Sequence, residues 1–327
     1  MADWAPSATL AVLQTRARIL ARIRAFFHER GVMEVETPLM SRAGATDPHI
    51  ESFTTRYQGP GAPGGCTLYL HTSPEFPMKR LLAAGSGPTY QLCHVFRQGE
   101  AGRRHNPEFT LLEWYRPGFD DHALMDEVEA LARQVLGETR VLGPTERLGY
   151  REAFERHAGI DPLRIGEAEL VAACERLGVP AVPGLKGRDA WLDLLLTHVV
   201  EPQLGRGHLC FLHDYPASQA ALARLRNDAH GDAVAARFEL YCEGVELANG
   251  YHELLDADEQ ARRFAADRAT RARNGLPDVP ADENLIAALR HGLPDCAGVA
   301  LGVDRLIMLA VGAASIEEVI AFPLERA

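Results

Sequence analysis

TYQLCHVFRQGEAGRRHNPEFTLLEWYR, residues 89–116, is two apolar runs around a polar loop. Residues 89–98 and 108–116 are rich in aromatic and β-branched side chains, and GEAGRRHNP between them carries glycine, asparagine and proline. The pattern predicts an antiparallel hairpin with a long charged tip. Arg97 lies within the first apolar run, where an arginine without a partner is costly. Its planar fork suits phosphate or carboxylate. Arg103 and Arg104 follow in the loop, then His105, Asn106 and Phe109. Cations for a phosphate and a ring for stacking make a phosphate and purine site. A surface ion-pair loop is the other reading of the same residues.

A second hairpin is written in FELYCEGVELANGYHEL, residues 238–254, with three glutamates seven apart: Glu239, Glu246 and Glu253. Glu243-Gly244 is its strongest turn signal. Residues summing to 487 then pair, which sets Glu239 opposite Ala248 and puts Glu246 on the same face. Two carboxylates so placed repel unless a positive charge sits between them. A hard divalent cation with phosphate oxygens would serve, and so would a lysine or arginine. Beyond Asn249-Gly250 this geometry does not place Glu253.

Outward from these hairpins, residues 8–30 read as an amphipathic helix striped by Val12, Ile19 and Phe26 and widened by Leu13, Leu20, Ile23 and Phe27. A short strand at residues 32–35 stops before Pro38. GPGAPGG (59–65) reads as a loop, and 67–76 as a strand ending in a loop. Residues 122–136 and 256–274 read as helices and 208–216 as a strand, while about 140–235 is mainly helical, an insertion or cap on the main sheet. GVALGVDRLIMLAVG (298–312) reads as a strand turning into a helix. There, Gly298 and Gly302 let a ligand approach the backbone and Arg305 stands at the helix start. Antiparallel hairpins flanked by helices give an α+β class. The whole chain, 1–327, is expected to be one catalytic domain.

The formal net charge of −11 argues against a broad basic surface for nucleic acid. Six scattered cysteines form no CxxC and no cluster with histidine, so they read as reduced, mostly buried thiols. No signal-peptide core is visible, and no apolar run approaches the roughly 18 residues of a membrane helix. The expectation is a soluble cytoplasmic protein.

Three segments together resemble the signature motifs of class II aminoacyl-tRNA synthetases. GVMEVETPLM (31–40) resembles motif 1, which builds a homodimer interface; VFRQGEAGRRHNPEFTLLEWY (95–115) resembles motif 2; GVALGVDRL (298–306) resembles motif 3. HNPEFT, ELANGYHEL and GVDRL are similar to the lysyl-tRNA synthetase branch. HTSPEFPMKRLL, YPASQAALA, LPDCAGVALGVDRL and EVIAF extend the likeness over the whole chain to its short paralogues, the elongation factor P β-lysine ligases.

The resemblance implies an antiparallel class II core, ATP and Mg²⁺, and no anticodon-binding domain before the first helix. It implies (R)-β-lysine as substrate, elongation factor P as acceptor, and neither tRNA nor membrane as partner. It implies that Arg97 binds the α-phosphate and substrate carboxylate, while Gln98, Gly99, His105 and Asn106 contact ATP. Phe109 would stack on adenine, Leu247 lie beside the nucleotide, Gly302 admit it, and Arg305 face the γ-phosphate. Glu239 and Glu246 would hold the metal. Ser73, Pro74 and Glu75 would line the amino-acid site. Glu113, Tyr115 and Glu253 would receive the side-chain ammonium, with Asn249 nearby.

Two positions depart from the synthetase pattern. Gly99 stands where motif 2 usually carries glutamate, with Glu100 next. Ala300 stands where the lysyl branch has glycine, and its methyl would disfavour α-lysine. A truncated synthetase acting on tRNA and a non-catalytic paralogue are the alternatives; the second should have lost the motif arginines that this chain keeps.

Overall fold

Helix α1 (Leu10–Glu29) starts where Thr9 caps it, the Thr9 hydroxyl accepting from Val12 N at 3.3 Å. Its apolar stripe buries Ile19, Ile23, Phe26 and Phe27. The computed structural model describes residues 4–180 and 182–327. They form two compact units: residues 4–118, 255–296 and 300–327 make the first, residues 119–180, 182–254 and 297–299 the second.

In the first unit, β1 (Met33–Glu34) is followed by β2 (Met40–Ser41), β3 (Thr54–Gly59) and β4 (Ala62–Leu70), then α2 (Glu75–Ala83), β5 (Thr89–Phe96) and β6 (Glu108–Pro117). β5 and β6 are the expected hairpin, antiparallel from Thr89↔Tyr115 to Phe96↔Glu108, with β1 parallel to β5. One face of this hairpin is packed by α1: Phe27 stacks on Tyr90 at 4.4 Å and meets Trp114 edge-on at 5.2 Å. Such ring pairs add about 0.5–1.5 kcal/mol each beyond their area. Alternation along β5 and β6 turns Gln91, Cys93, Phe109, Glu113 and Tyr115 to the opposite face.

β2, β4 and β3 form a separate small sheet. The glycine-rich 59–65 segment is a hairpin turn that already enters β4 at Ala62, so the expected loop is shorter than its composition suggests.

The second unit holds α3 (Asp121–Leu136), β7 (Glu146–Gly149), α4 (Tyr150–Ala158), α5 (Glu167–Arg176) and α6 (Arg188–Leu195). β8 (Leu209–Pro216), β9 (Leu225–Asn227), β10 (Ala233–Cys242) and β11 (Val245–His252) follow. Its strands run β11-β10-β8-β7, with β9 on β10. Tyr150, Phe154, Leu192 and Leu195 pack with Leu212, Tyr215 and Tyr241 in one buried cluster. The chain then returns to the first unit through α7 (Ala257–Arg273) and α8 (Glu283–Gly292). β12 (Cys296–Gly302) leads into α9 (Val303–Val311). Antiparallel hairpins with flanking helices make the fold α+β, as expected.

The β10–β11 turn falls at Glu243-Gly244, both in the left-handed region at φ 54° and 67°. The pairing rule derived from it fails by one residue. Tyr241 pairs with Glu246 as expected, but Leu240 pairs with Ala248, because a bulge leaves Leu247 as the extra residue. Glu239 therefore faces Asn249 and not Ala248. Among the described residues no helix is long and apolar enough to cross a membrane. All six cysteines are free.

Candidate active site

The entry to α2 and the strand β6 build the first group of side chains. Ser73 accepts from Glu75 N at 3.0 Å and donates to Glu113 Oε2 at 2.6 Å. Tyr115, two residues along the same strand face, donates to Glu113 Oε1 at 2.7 Å. Glu113 is 2% exposed. Its burial, followed by the charge of Glu75, pushes its carboxyl up to about 8, while Ser73, Tyr115 and Lys79 act in the opposite direction. Cys93, on the same sheet face, is pushed up to about 12 by burial and by Glu113, so it is a neutral thiol. Glu75 opens α2 just after Pro74, and Lys79 one turn later reaches Glu75 Oε1 at 2.5 Å. A buried carboxyl held by two hydroxyl groups, with a second carboxylate close by, is a group whose ionised form an arriving cation would favour.

The motif 2 loop and the start of α9 form the second group, still in the first unit. Arg97 donates to Thr72 O at 3.3 Å and lies 5.1 Å from the Phe109 ring centroid. The Phe109 ring is partly exposed beside it. Gln98 N donates to Glu51 O at 2.8 Å. Gly99 has φ 84°, a region where a glutamate would be strained. The carboxylate is instead on Glu100, 3.4 Å from Arg97 Nη1.

Arg305 Nη2 donates to His105 Nε2 at 2.6 Å. Burial and then Arg305 hold His105 below the ordinary imidazole value, so the neutral ring accepts that bond. Asn106 is 8% exposed, with its amide donating to Glu108 O at 2.6 Å and accepting from Leu324 N at 3.1 Å. Gly302 caps α9, and Ala300 is half-buried on β12.

Behind Arg305, Asp304 is 2% exposed and accepts from Thr110 N at 2.7 Å. Arg16 of α1 joins Asp304 at 2.5 Å and Thr110 Oγ1 at 2.7 Å. This network fixes the end of α9 that carries Arg305.

The second unit carries the third group, on one face of β10 and β11. The bulge leaves Glu239, Glu246 and Asn249 sharing that face. Arg237 completes it: its Nη2 pairs with Glu239 Oε1, and its Nε donates to Asn249 Oδ1 at 3.3 Å. Nη1 donates to Gln219 O at 2.9 Å, and the guanidinium lies 4.3 Å from the Tyr215 ring centroid. Tyr241 donates to the other Glu239 oxygen at 2.5 Å. Of the two ways to compensate paired carboxylates, an arginine is thus present. Burial works against the Arg237 charge, yet Glu239 and the other neighbours raise its pKa.

Glu246 is half-buried, Leu247 is 2% exposed at the bulge, and Glu253 is completely buried beside the bridge to Ala223. Two hard carboxylates on one face are a donor set for Mg²⁺ only with phosphate oxygens and water as its other ligands. No cluster of three or more protein metal donors exists among the described residues.

Sequence reasoning passed over Lys79 and Arg237. The signal for Arg237 was the same as for Arg97, a lone arginine inside an apolar strand, AVAARFELYC. For Lys79 it was the Glu75–Lys79 spacing of four in a segment not recognised as a helix.

Residues 1–326 match the family described as tRNA synthetases class II (D, K and N). Three curated relatives carry the name elongation factor P–(R)-β-lysine ligase. The protein from Yersinia enterocolitica is 55% identical over 327 residues, covering 100% of this chain and 99% of its own. Those from Pectobacterium carotovorum and Pseudoalteromonas translucida are each 54% identical, covering 99% of this chain and 98% of their own.

Proposed function

We propose, from the premise that this chain belongs to the class II tRNA synthetases (D, K and N), that it is an ATP-dependent elongation factor P–(R)-β-lysine ligase. A carboxylate oxygen of (R)-β-lysine attacks the α-phosphorus of ATP as the bond to pyrophosphate breaks. A lysine amine of elongation factor P then attacks the acyl carbon of the adenylate, AMP leaves, and the amine gives up a proton. The observation that carries this reading is the cation-receiving Glu113, held by Ser73 and Tyr115, in a chain similar end to end to ligases of that name.

The chemistry asks for charge compensation and alignment more than for proton transfer. Arg97 serves the α-phosphate and substrate carboxylate, with Gln98 and the Gly99 backbone beside the nucleotide. Phe109 stacks the adenine, and Arg305, oriented by His105 and Asp304, serves the γ-phosphate. Glu239 and Glu246 would hold Mg²⁺, which supplies positive charge against the phosphates when bound. Glu113 and Tyr115 receive the substrate ammonium, and Glu253 is a further carboxylate in that role. An uncharged side chain would leave these groups unpaired, which makes the discrimination strong. The enzyme works in the cytoplasm as a homodimer; Met33, Leu39 and Met40 of the motif 1 segment are 48%, 42% and 51% exposed and suit a second copy.

ATP–pyrophosphate exchange with (R)-β-lysine, (S)-β-lysine, α-lysine and aspartate in parallel tests the reading. Strongest exchange with (R)-β-lysine supports it, and exchange with α-lysine alone or with none would overturn it. Ala300→Gly in the same assay should raise exchange with α-lysine; no gain would remove Ala300 from the explanation of substrate choice.

A further inference from the structure

A lysine that is 2% exposed is rare in a protein interior, and Lys79 is one. It sits on the buried face of α2 beside Met78 and Leu82, with its ammonium 2.5 Å from Glu75 Oε1. Glutamate followed four residues later by lysine is the favourable order on a helix. Stability alone does not explain the pair. Taking both charges out of water costs several kcal/mol per ion, and apolar residues of similar volume often replace such pairs without loss. Methionine would fill the space of Lys79 and is already its neighbour.

The surroundings suggest what the charge is for. Glu113 is reached by the charges of Glu75 and Lys79 from α2, by the Ser73 and Tyr115 hydroxyls, and by the Cys93 thiol across the sheet. Glu75 and Glu113 are like charges close together, and burial with that repulsion lets Glu113 take up a proton before substrate binds, a tendency that Lys79 opposes. Lys79 is the cation present before any substrate arrives. With both carboxylates ionised, the three groups sum to a single negative charge, which one substrate ammonium neutralises.

We propose that Lys79 is a positioning residue for amine recognition: it holds the Glu75 carboxylate in place and sets the pocket's charge to accept one ammonium group. The inference rests on the β-lysine reading above and adds to it a residue that acts through Glu75 without contacting the reacting atoms.

The test is steady-state exchange kinetics and thermal unfolding of Lys79→Met, with Glu75→Gln and the double variant alongside. Lys79→Met should raise KM for (R)-β-lysine by about tenfold or more, with KM for ATP within about twofold. Its unfolding temperature should stay within about 4 °C of the parent. Because Lys79 opposes the upward push on Glu113, the pH above which amine KM becomes low should move alkaline in this variant. The double variant should be no worse than Glu75→Gln alone, since the lysine acts through that carboxylate.

Unchanged amine KM, an equal rise in ATP KM, or additive effects of the two substitutions would overturn the inference. Should Lys79→Met fail to fold, Lys79→Gln, which keeps a donor but no charge, carries the same expectations. A parent protein that fails to exchange with (R)-β-lysine overturns the proposed function; a normal parent with an indifferent Lys79→Met overturns only the role of the lysine.

Discussion

Burial and the charge of Glu75 push the Glu113 carboxyl up to about 8, against Ser73, Tyr115 and Lys79. In the empty pocket below that pH Glu113 is largely protonated and attracts an ammonium poorly. The KM for (R)-β-lysine should therefore fall as pH rises from 6.5 to 8.5, by up to about tenfold per unit on the acid side. The same group makes a stability prediction with the opposite trend. Its folded pKa lies above its unfolded value, so its contribution is full below the unfolded pKa and is lost as pH rises through about 8. Glu113→Gln is neutral throughout. It should gain on the parent between pH 6 and pH 9 by at least about 3 °C in unfolding temperature while losing amine activation. A constant difference between the two proteins would show that Glu113 is not carrying that proton. At this scale a charge interrupting an apolar run drew attention to Arg97, whereas Glu113 entered only through the family resemblance and the same signal at Arg237 was passed over. The sequence was silent where the meaning of a residue depends on a turn of helix not recognised as one, as for Lys79. Gly99 shows a third case: its departure from the motif is visible in the sequence, but its physical reason, a positive φ, is visible only in the backbone.

Between elements of the first unit, a buried polar tie joins α1, β6 and α9 through Arg16, Thr110 and Asp304. Removing one partner of a buried pair leaves the other charge uncompensated. Asp304→Ala should cost about 3–5 kcal/mol in denaturant unfolding, and Asp304→Asn less. A loss below about 1 kcal/mol would mean that Arg16 finds water in place of the carboxylate. In the second unit, Gly250 of β11 pairs with Phe238 of β10 and leaves no room for a side chain. A Cβ there would stand 2.4 Å from Phe238 Cζ and 3.0 Å from Val299 Cβ. Gly250→Ala should therefore cost about 1–3 kcal/mol through overpacking, measured the same way. Hairpins, the first helix and the strand-to-helix passage at β12 and α9 were readable because alternation and turn chemistry are local. The bulge at Leu247 was not, since neither glycine nor proline marks it, and it alone displaced the expected partner of Glu239. Of the small β2-β4-β3 sheet only the end of β4 was read: β2 is only two residues long, and β3 is largely exposed with no clear alternation signal. Helix α8 was missed as well.

Over the whole chain, the charge of −11 bears on which macromolecule accepts the activated group. Binding to tRNA draws most of its free energy from neutralising phosphates, and a net acidic surface supplies little of it. Arg97 and Arg305 do not alter this, because the proposed reading assigns them to the phosphates of ATP, where each is already oriented, Arg97 beside Glu100 and Phe109 and Arg305 by His105. Labelled (R)-β-lysine supplied with ATP and Mg²⁺ should therefore pass to elongation factor P and not to tRNA, with at least about a thousandfold preference in initial rate, the lower end of the gap that separates specific from merely electrostatic association. Lowering the salt from 200 to 50 mM should leave tRNA unlabelled, whereas a tRNA-directed enzyme would gain steeply in binding over that range. Chelating the metal should stop activation, because the proposed role of Glu239 and Glu246 is to hold the Mg²⁺ that would supply positive charge against the phosphates. Transfer to tRNA that rises as salt falls would reverse the assignment of the acceptor while leaving the activation chemistry of Arg97, Arg305 and Glu113 intact.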